Sequence, residues 1–249
     1  MKTVLITGCS SGFGLETARL FLARDWRVIA TMRTPRTDLL PPSERLRVLA
    51  LDVSDDAGIR DAVAAAGPID VLVNNAGFGV ASPAELTSLA TVRQLFDTNT
   101  IGTIALSQAV LPQMRERRDG VIVNVTSSVT LKTLPLLAAY RASKVAVNAF
   151  TESMAFELEG TGVRARLVLP GRSPETRFGD NARPHMQGLD HPAYVDLVKT
   201  VFAQIQDTST PLTTAADVAE AVWRAATDAS TPMRIPAGAD AIAWAAQAA

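Results

Sequence analysis

Two groups of residues in this 249-residue chain have the types and spacing to do chemistry. The first is Thr7-Gly8-Cys9-Ser10-Ser11-Gly12-Phe13-Gly14, a glycine-rich stretch that ends one apolar run and opens a helical one. Glycines there let the chain turn tightly and bring backbone N–H groups to an anion at a helix N-terminus, as in pyrophosphate binding. The Gly-x-x-x-Gly-x-Gly spacing is not the Gly-x-Gly-x-x-Gly of the usual dinucleotide fingerprint, and a plain tight turn would use the same residues. The second group is Tyr140 and Lys144, four residues apart at the start of a helical stretch and therefore on one face. A free tyrosine, with a pKa of about 10, is a poor base at neutral pH, but a neighbouring ammonium favours tyrosinate. A fall of about 2–3 in its pKa would equip Tyr140 to exchange a proton with a carbonyl or alcohol oxygen.

The elements that must hold these groups alternate along the chain. Short β-branched runs at Lys2–Thr7, Arg27–Thr31, Arg47–Leu51, Asp70–Val73, Val121–Val125 and Val163–Leu169 are continuously apolar, as strands buried on both faces are. Between them lie helical stripes such as Leu15, Ala18 and Leu22, or Leu95, Ile101, Leu106 and Val110. This pattern predicts an α/β fold, a doubly wound, mostly parallel sheet (a Rossmann fold), as one domain over residues 1–249. From 172 to 211 the rhythm breaks: there is no strand, only prolines, His185, His191 and an amphipathic patch of Val195, Val198, Val201, Phe202 and Ile205. An insertion after the sixth strand would lie over the carboxyl ends of the strands, where such sheets bind ligands, so it reads as a substrate lid.

Composition narrows the function. Hydrophobic residues make up 47% and charged residues 20%, and 24 Lys+Arg against 25 Asp+Glu leave a net charge of −1. That balance argues against nucleic acid or an anionic membrane as partner. The one cysteine, Cys9, excludes an intrachain disulfide and a cysteine-cluster metal site, and reads as a small turn residue. No metal site is expected. No secretion signal or membrane span is visible, so a cytoplasmic setting is the expectation.

With these motifs in this order, the sequence resembles the short-chain dehydrogenase/reductase family over nearly its whole length. Thr7 to Gly14 is similar to the family's TGxxxGxG, Asn74-Asn75-Ala76-Gly77 to its NNAG, Pro170-Gly171 to its PG motif, and Tyr140-Arg141-Ala142-Ser143-Lys144 to its YxASK. The resemblance implies a cofactor site built from Gly8, Ser10, Ser11, Gly12, Phe13, Gly14, Asn75, Ala76, Gly77, Pro170, Gly171, Tyr140 and Lys144. Asp52 and Val53 would meet the adenine, and Lys144 the nicotinamide ribose. It also implies catalytic roles: Tyr140 as acid/base, Ser127 polarising the carbonyl, and Asn99 holding a water in a relay to Lys144. Ser128 adjoins Ser127, and strand alternation lets only one of the two face the cofactor. The family places a threonine at the fifth position past the proline. Here that position is Glu175, so either Ser173 or Thr176 would contact the nicotinamide.

Cofactor and substrate follow from nearby residues. The second strand ends Ala30-Thr31-Met32-Arg33 without the Asp or Glu that holds an NAD ribose 2′-OH. Arg33 instead offers a cation to a 2′-phosphate, with Arg36 as a spare and Ser10 as a hydroxyl donor, so NADP(H) is expected. Val129, Leu134 and Leu137 lie between Ser127 and Tyr140 and suggest an apolar wall for a hydrophobic carbonyl compound or secondary alcohol, reduction being favoured. Lys132 and Arg172 leave an acidic small molecule open. The Cys-Ser-Ser loop, the Ala-Thr-Met-Arg strand end and the stretch from Met233 to Ala241 are similar to the branch holding 17β-hydroxysteroid and retinol dehydrogenases. The resemblance further implies a homodimer or homotetramer through the helices bearing Asn99 and Tyr140. Two other readings share the fold: a non-catalytic NADP-binding regulatory protein, and a relative with epimerase or dehydratase chemistry. The intact Ser127, Tyr140, Lys144 and Asn99 set speaks against the first, and the glycine spacing and YxxxK against the second.

Overall fold

The computed structural model describes residues 1–248. Seven strands form one sheet: β1 (Thr3–Ile6), β2 (Arg27–Met32), β3 (Leu46–Ala50), β4 (Val71–Asn74), β5 (Gly120–Val125), β6 (Val163–Pro170) and β7 (Arg234–Ala237). Their order is β3-β2-β1-β4-β5-β6-β7, and every neighbouring pair is parallel. The order reverses between β1 and β4, so the crevice at their carboxyl ends is the switch point where an open α/β sheet binds its ligand.

The apolar runs are continuous because each strand feeds two cores. Val4 and Ile6 of β1, with Val71, Val73, Val121 and Val123, face the layer of α1 (Gly12–Ala23) and α8 (Ala215–Thr227). Leu5, Leu72 and Ile122 point the other way, onto α2 (Asp56–Ala66), α4 (Gly102–Arg117) and α5 (Ala138–Glu157). The sixfold strand reading missed β7, a four-residue edge strand containing Pro236, which a sheet tolerates only at its margin.

The long helix expected around Leu95 to Val110 is divided. α3 (Leu89–Phe96) runs into a π-helical turn, Asp97–Ile101, before α4 begins. The wider turn rotates the following residues, so Leu95, Leu106 and Val110 are buried while Ile101, expected on the same stripe, is 51% exposed. The turn also drives Asn99 fully inside.

The segment after β6 has no strand, as expected, and carries α6 (Phe178–Ala182) and α7 (Val195–Gln206). Val198, Val201 and Phe202 of α7 pack on Ala81, Leu136 and Leu137, so its apolar face holds this segment against the loops at the carboxyl end of the sheet. α9 (Ala239–Ala248) closes the described chain. No helix among the described residues is long and apolar enough to cross a membrane.

Candidate active site

Tyr140 and Lys144 stand on the first turns of α5, both buried, at 6% and 5% exposure. The Tyr140 hydroxyl faces the Ser127 side chain, just past the end of β5, near enough for Ser127 to lower the pKa of the phenol, so two hydroxyls from different elements converge on one point. Ser127, rather than Ser128, is the serine that faces Tyr140. Its Oγ also accepts from the Val129 N–H at 3.3 Å, which fixes its position. Lys144 Nζ donates to the Val125 carbonyl at 3.1 Å.

Within the protein itself, burial acts against a fall in the Tyr140 pKa. It pushes the phenol up to about 12, and Ser127 offsets only part of that. Burial also brings the Lys144 ammonium down to about 8. Desolvation disfavours the charged form of each group, and here it outweighs the attraction of an ammonium for tyrosinate. Tyr140 therefore holds its proton and is poised as a donor.

Asn99 is held from the π-turn. Its Nδ2 donates to the Phe78 carbonyl at 3.0 Å and to Ser143 Oγ at 3.1 Å, and its Oδ1 accepts from the Phe78 N–H at 3.0 Å. The amide thus gives both its N–H donors and one lone pair of its oxygen to protein, and the Asn99 main-chain carbonyl accepts from Thr103 Oγ1 at 3.0 Å. Gly77 fits between: a Cβ on it would lie 2.8 Å from Asn99 Oδ1 and 3.3 Å from Lys144 Nζ.

The glycine loop is shaped for close approach. Gly8 has φ +73°, and a Cβ there would come within 2.9 Å of the Ala76 Cα. A Cβ on Gly14 would lie 2.5 Å from both Asn75 Nδ2 and the Gly8 oxygen. Asn75 Nδ2 donates to the Thr7 carbonyl at 2.8 Å, stitching the NNAG turn to the loop. Thr7, absent from the expected site, completes the stitch: its Oγ1 accepts from the Asn75 and Ala76 N–H groups, each at 2.9 Å. Ser11 occupies the N-cap of α1 without a side-chain cap bond, so the first N–H groups of that helix stay open to an anion. Cys9 is wholly buried, and burial raises its thiol to about 12, in keeping with a turn residue and not a nucleophile.

At the adenosine end, Arg33 is exposed just beyond β2, and no described residue forms a salt bridge with it. The expected spare, Arg36, is paired with Asp38 at 2.6 Å. Asp52 accepts from the Ser54 hydroxyl and N–H at 2.6 and 2.9 Å, which holds its carboxyl below the usual range, and Arg33 lowers it further. Val53 is buried beside it, against Gly102.

Past Pro170-Gly171 the altered register has a structural reason. Glu175 accepts from the Ala215 N–H at 2.9 Å and so caps α8. The Thr176 hydroxyl donates to the Ser173 carbonyl at 2.9 Å, while its methyl lies over Gly12. The Ser173 hydroxyl is buried with no hydrogen-bond partner among the described residues. A buried orphan donor, an open helix N-terminus and a cradle that a Cβ would fill together fit a dinucleotide lying across the β1–β4 crevice. Asp240, which the spacing gave no reason to single out, organises this turn from α9. It accepts from the Arg172 N–H at 2.7 Å and lies 2.6 Å from Thr213 Oγ1, which accepts from the Gly171 N–H.

Of the apolar wall, Val129 is buried beside Tyr140, and Leu134 and Leu137 pack partly buried on the same cluster. Arg141 Nε donates to the Val129 carbonyl and fixes that side. Of the two cations that left an acidic substrate open, Arg172 is engaged, its guanidinium bonding the Gln204 and Ile205 carbonyls at the end of α7 and the Thr210 hydroxyl, while Lys132 is exposed with its ammonium 5.0 Å from the Trp244 ring centre.

Comparison with known proteins agrees with this geometry. Residues 2–187 match the family model for short chain dehydrogenases. The chain is 41% identical over 182 residues to human retinol dehydrogenase 8, spanning 68% of this chain and only 58% of that protein. It is 34% identical over 238 residues to the uncharacterized oxidoreductase YusZ of Bacillus subtilis, covering 90% of this chain and 84% of that one. A short-chain dehydrogenase from Streptomyces avermitilis superposes with a TM-score of 0.86 at 32% identity, covering 99% of this chain and 91% of its own. A closed serine dehydrogenase solved with NADP+ superposes at 0.79 and 30% identity, covering 96% and 95%. An all-parallel seven-stranded sheet, its glycine loop and the family match over residues 2–187 lead to one conclusion: the chain belongs to the short-chain dehydrogenase/reductase family of oxidoreductases.

Proposed function

We propose that this protein is an NADP(H)-dependent carbonyl reductase acting on an apolar ketone or aldehyde. One observation carries the reading: the buried Tyr140 hydroxyl converges with the Ser127 side chain, and the Lys144 ammonium stands on the same helix face as Tyr140. A carbonyl oxygen placed at that point receives two O–H donors in a site nearly closed to water. There, preorganised donors act most strongly on a developing alkoxide.

The dinucleotide would be held by the 8–14 loop, Asn75, Ala76, Gly77 and the Pro170–Thr176 turn, and when bound it supplies hydride chemistry at its nicotinamide ring. The chain's own residues do the rest. Ser127 polarises the carbonyl, and Tyr140 gives up its proton to the substrate oxygen. Lys144, charged below about pH 8, stabilises the tyrosinate left behind. Asn99 holds the Phe78 turn and Gly77 against Lys144, and would hold a relay water to that lysine. A protonated Tyr140 favours the reductive direction.

The NADP(H) preference rests on the unpaired Arg33 and exposed Ser10, together with the lack of an acidic residue at the end of β2. An NADP+-bound relative at 30% identity supports it. The apolar substrate rests on Val129, Leu134 and Leu137 and on the engagement of Arg172 elsewhere. Residues 172–211 act as the substrate lid of one dinucleotide-binding domain. Self-association through the faces of α4 and α5 fits the exposed Ile101 and Val145.

The test is NADPH oxidation followed at 340 nm across apolar ketones, aldehydes and charged keto compounds. Turnover of apolar carbonyls with NADPH in preference to NADH supports the reading. Turnover confined to keto acids, or none with any carbonyl, refutes it.

A further inference from the structure

The lid is tied down on both sides of one aromatic residue. On the near side, Arg172, Glu175 and Thr176 are each held by hydrogen bonds. On the far side, the Gln187 N–H donates to Ser82 Oγ at 2.8 Å, and its Oε1 accepts from the Ser88 N–H at 2.9 Å. The His185 ring meets the Phe78 ring with centroids 4.6 Å apart. Between these anchors, Arg177, Gly179, Asp180 and Asn181 are exposed, Ala182 is buried, and Phe178, at 40% exposure, lays its ring against Tyr140.

The Phe178 ring lies between Tyr140 and Gly79. Its centroid is 5.7 Å from that of Tyr140, with the planes tilted by 59°. A Cβ on Gly79 would sit 2.5 Å from Phe178 Cζ, so any larger residue there would push the ring out of its present seat. A substrate whose oxygen reaches the Tyr140 hydroxyl must bring its body alongside this ring.

We propose that Phe178, seated on Gly79 beside Tyr140, is the residue that selects the substrate, and that it selects flat, unsaturated or aromatic carbonyl compounds by stacking on them. The proposal rests on the carbonyl-reductase reading and adds its substrate class. An aromatic face discriminates shape where Val129, Leu134 and Leu137 discriminate only polarity. A planar group gains an offset-stacked or edge contact with Phe178, and a puckered ring of equal size gains only the burial of its area. Gly79 is a positioning residue, because it acts through the ring it makes room for.

The experiment uses 1-tetralone and its saturated counterpart 1-decalone, which differ in flatness more than in size. Binding of each to the NADPH-loaded protein is measured by calorimetry, and turnover at 340 nm. The wild-type protein binds 1-tetralone about threefold to tenfold more tightly than 1-decalone, as one aromatic pair allows. Phe178→Ala and Gly79→Ala each remove that preference, Phe178→Trp keeps it, and NADPH affinity is unchanged in all three. Equal loss for both ketones, or a preference that survives Phe178→Ala, overturns the proposal, as does a wild-type protein that binds neither ketone. Binding with the predicted preference but without turnover overturns the reductase reading and leaves the role of Phe178 standing.

Discussion

Asn99 holds Phe78 by both of its backbone polar groups, donating to the carbonyl and accepting from the N–H, each at 3.0 Å. A single side chain thereby sets the 77–79 turn, which backs Lys144 at Gly77 and seats Phe178 at Gly79. Asn99→Ala leaves two largely enclosed backbone groups without partners and should lower stability by about 2–4 kcal/mol, with a large loss of kcat. Urea unfolding measures the first effect and steady-state kinetics the second. A stability change below about 0.5 kcal/mol would show that the Phe78 bonds are not formed.

Ser173 should separate binding from folding. Its buried hydroxyl has no hydrogen-bond partner among the described residues, so Ser173→Ala removes an uncompensated polar group. The cofactor-free protein should be as stable or up to about 1 kcal/mol more stable. NADPH affinity should fall about threefold to tenfold, the worth of one lost hydrogen bond. Thermal unfolding and calorimetry read the two quantities, which move in opposite directions only if this hydroxyl faces the cofactor.

How far the sequence carried the account depended on whether a residue's role is local. The glycine loop and the Tyr140–Lys144 pair depend on neighbours a few residues away, and spacing alone exposed them. The all-parallel sheet was legible because each buried strand is continuously apolar. What spacing did not show depends on residues far apart in the chain. Asp240 shapes the Gly171–Arg172 turn from 68 positions away, Arg172 is taken up by the end of α7, and Phe178 reaches Tyr140 only through the fold of residues 172–211. The Ile101 stripe failed because one π-helical turn shifts the helical phase, which no regular period anticipates. The burial that raises the Tyr140 pKa is likewise invisible in a sequence.

Lys144 should show the cost of keeping an ammonium buried. Its folded pKa of about 8 lies below the 10.5 of the free side chain. Between those values the unfolded chain binds more protons than the folded one, so stability rises as pH rises through that window. Below about pH 8 the cost is fully present. Lys144→Met should therefore stabilise the cofactor-free protein at pH 7 by about 1–2 kcal/mol, after loss of the Val125 hydrogen bond, and should abolish turnover. Tyr140 has the opposite sign: its folded pKa of about 12 exceeds 10, so its contribution is lost as pH rises from 10 to 12. Chemical denaturation across pH 7–12 for wild type and Lys144→Met checks both signs.

Arg33 should decide between the two nicotinamide dinucleotides. Arg33→Ala is expected to weaken NADPH binding by about tenfold or more while changing NADH affinity less than about twofold, because a charge-assisted contact to the 2′-phosphate is lost. Competition binding with NADP+ and NAD+ measures this, and an unchanged ratio would remove the 2′-phosphate from Arg33.

The central claim is that the Tyr140 hydroxyl delivers the proton. Rapid-mixing single turnover of enzyme-bound NADPH with an apolar ketone, in wild type and Tyr140→Phe, tests it most directly. The ring is kept and only one hydroxyl is lost, so NADPH affinity should stay within about threefold while the single-turnover rate falls by about a thousandfold or more, the scale of an essential acid. A Tyr140→Phe protein that oxidises bound NADPH at a rate within tenfold of wild type would contradict the account.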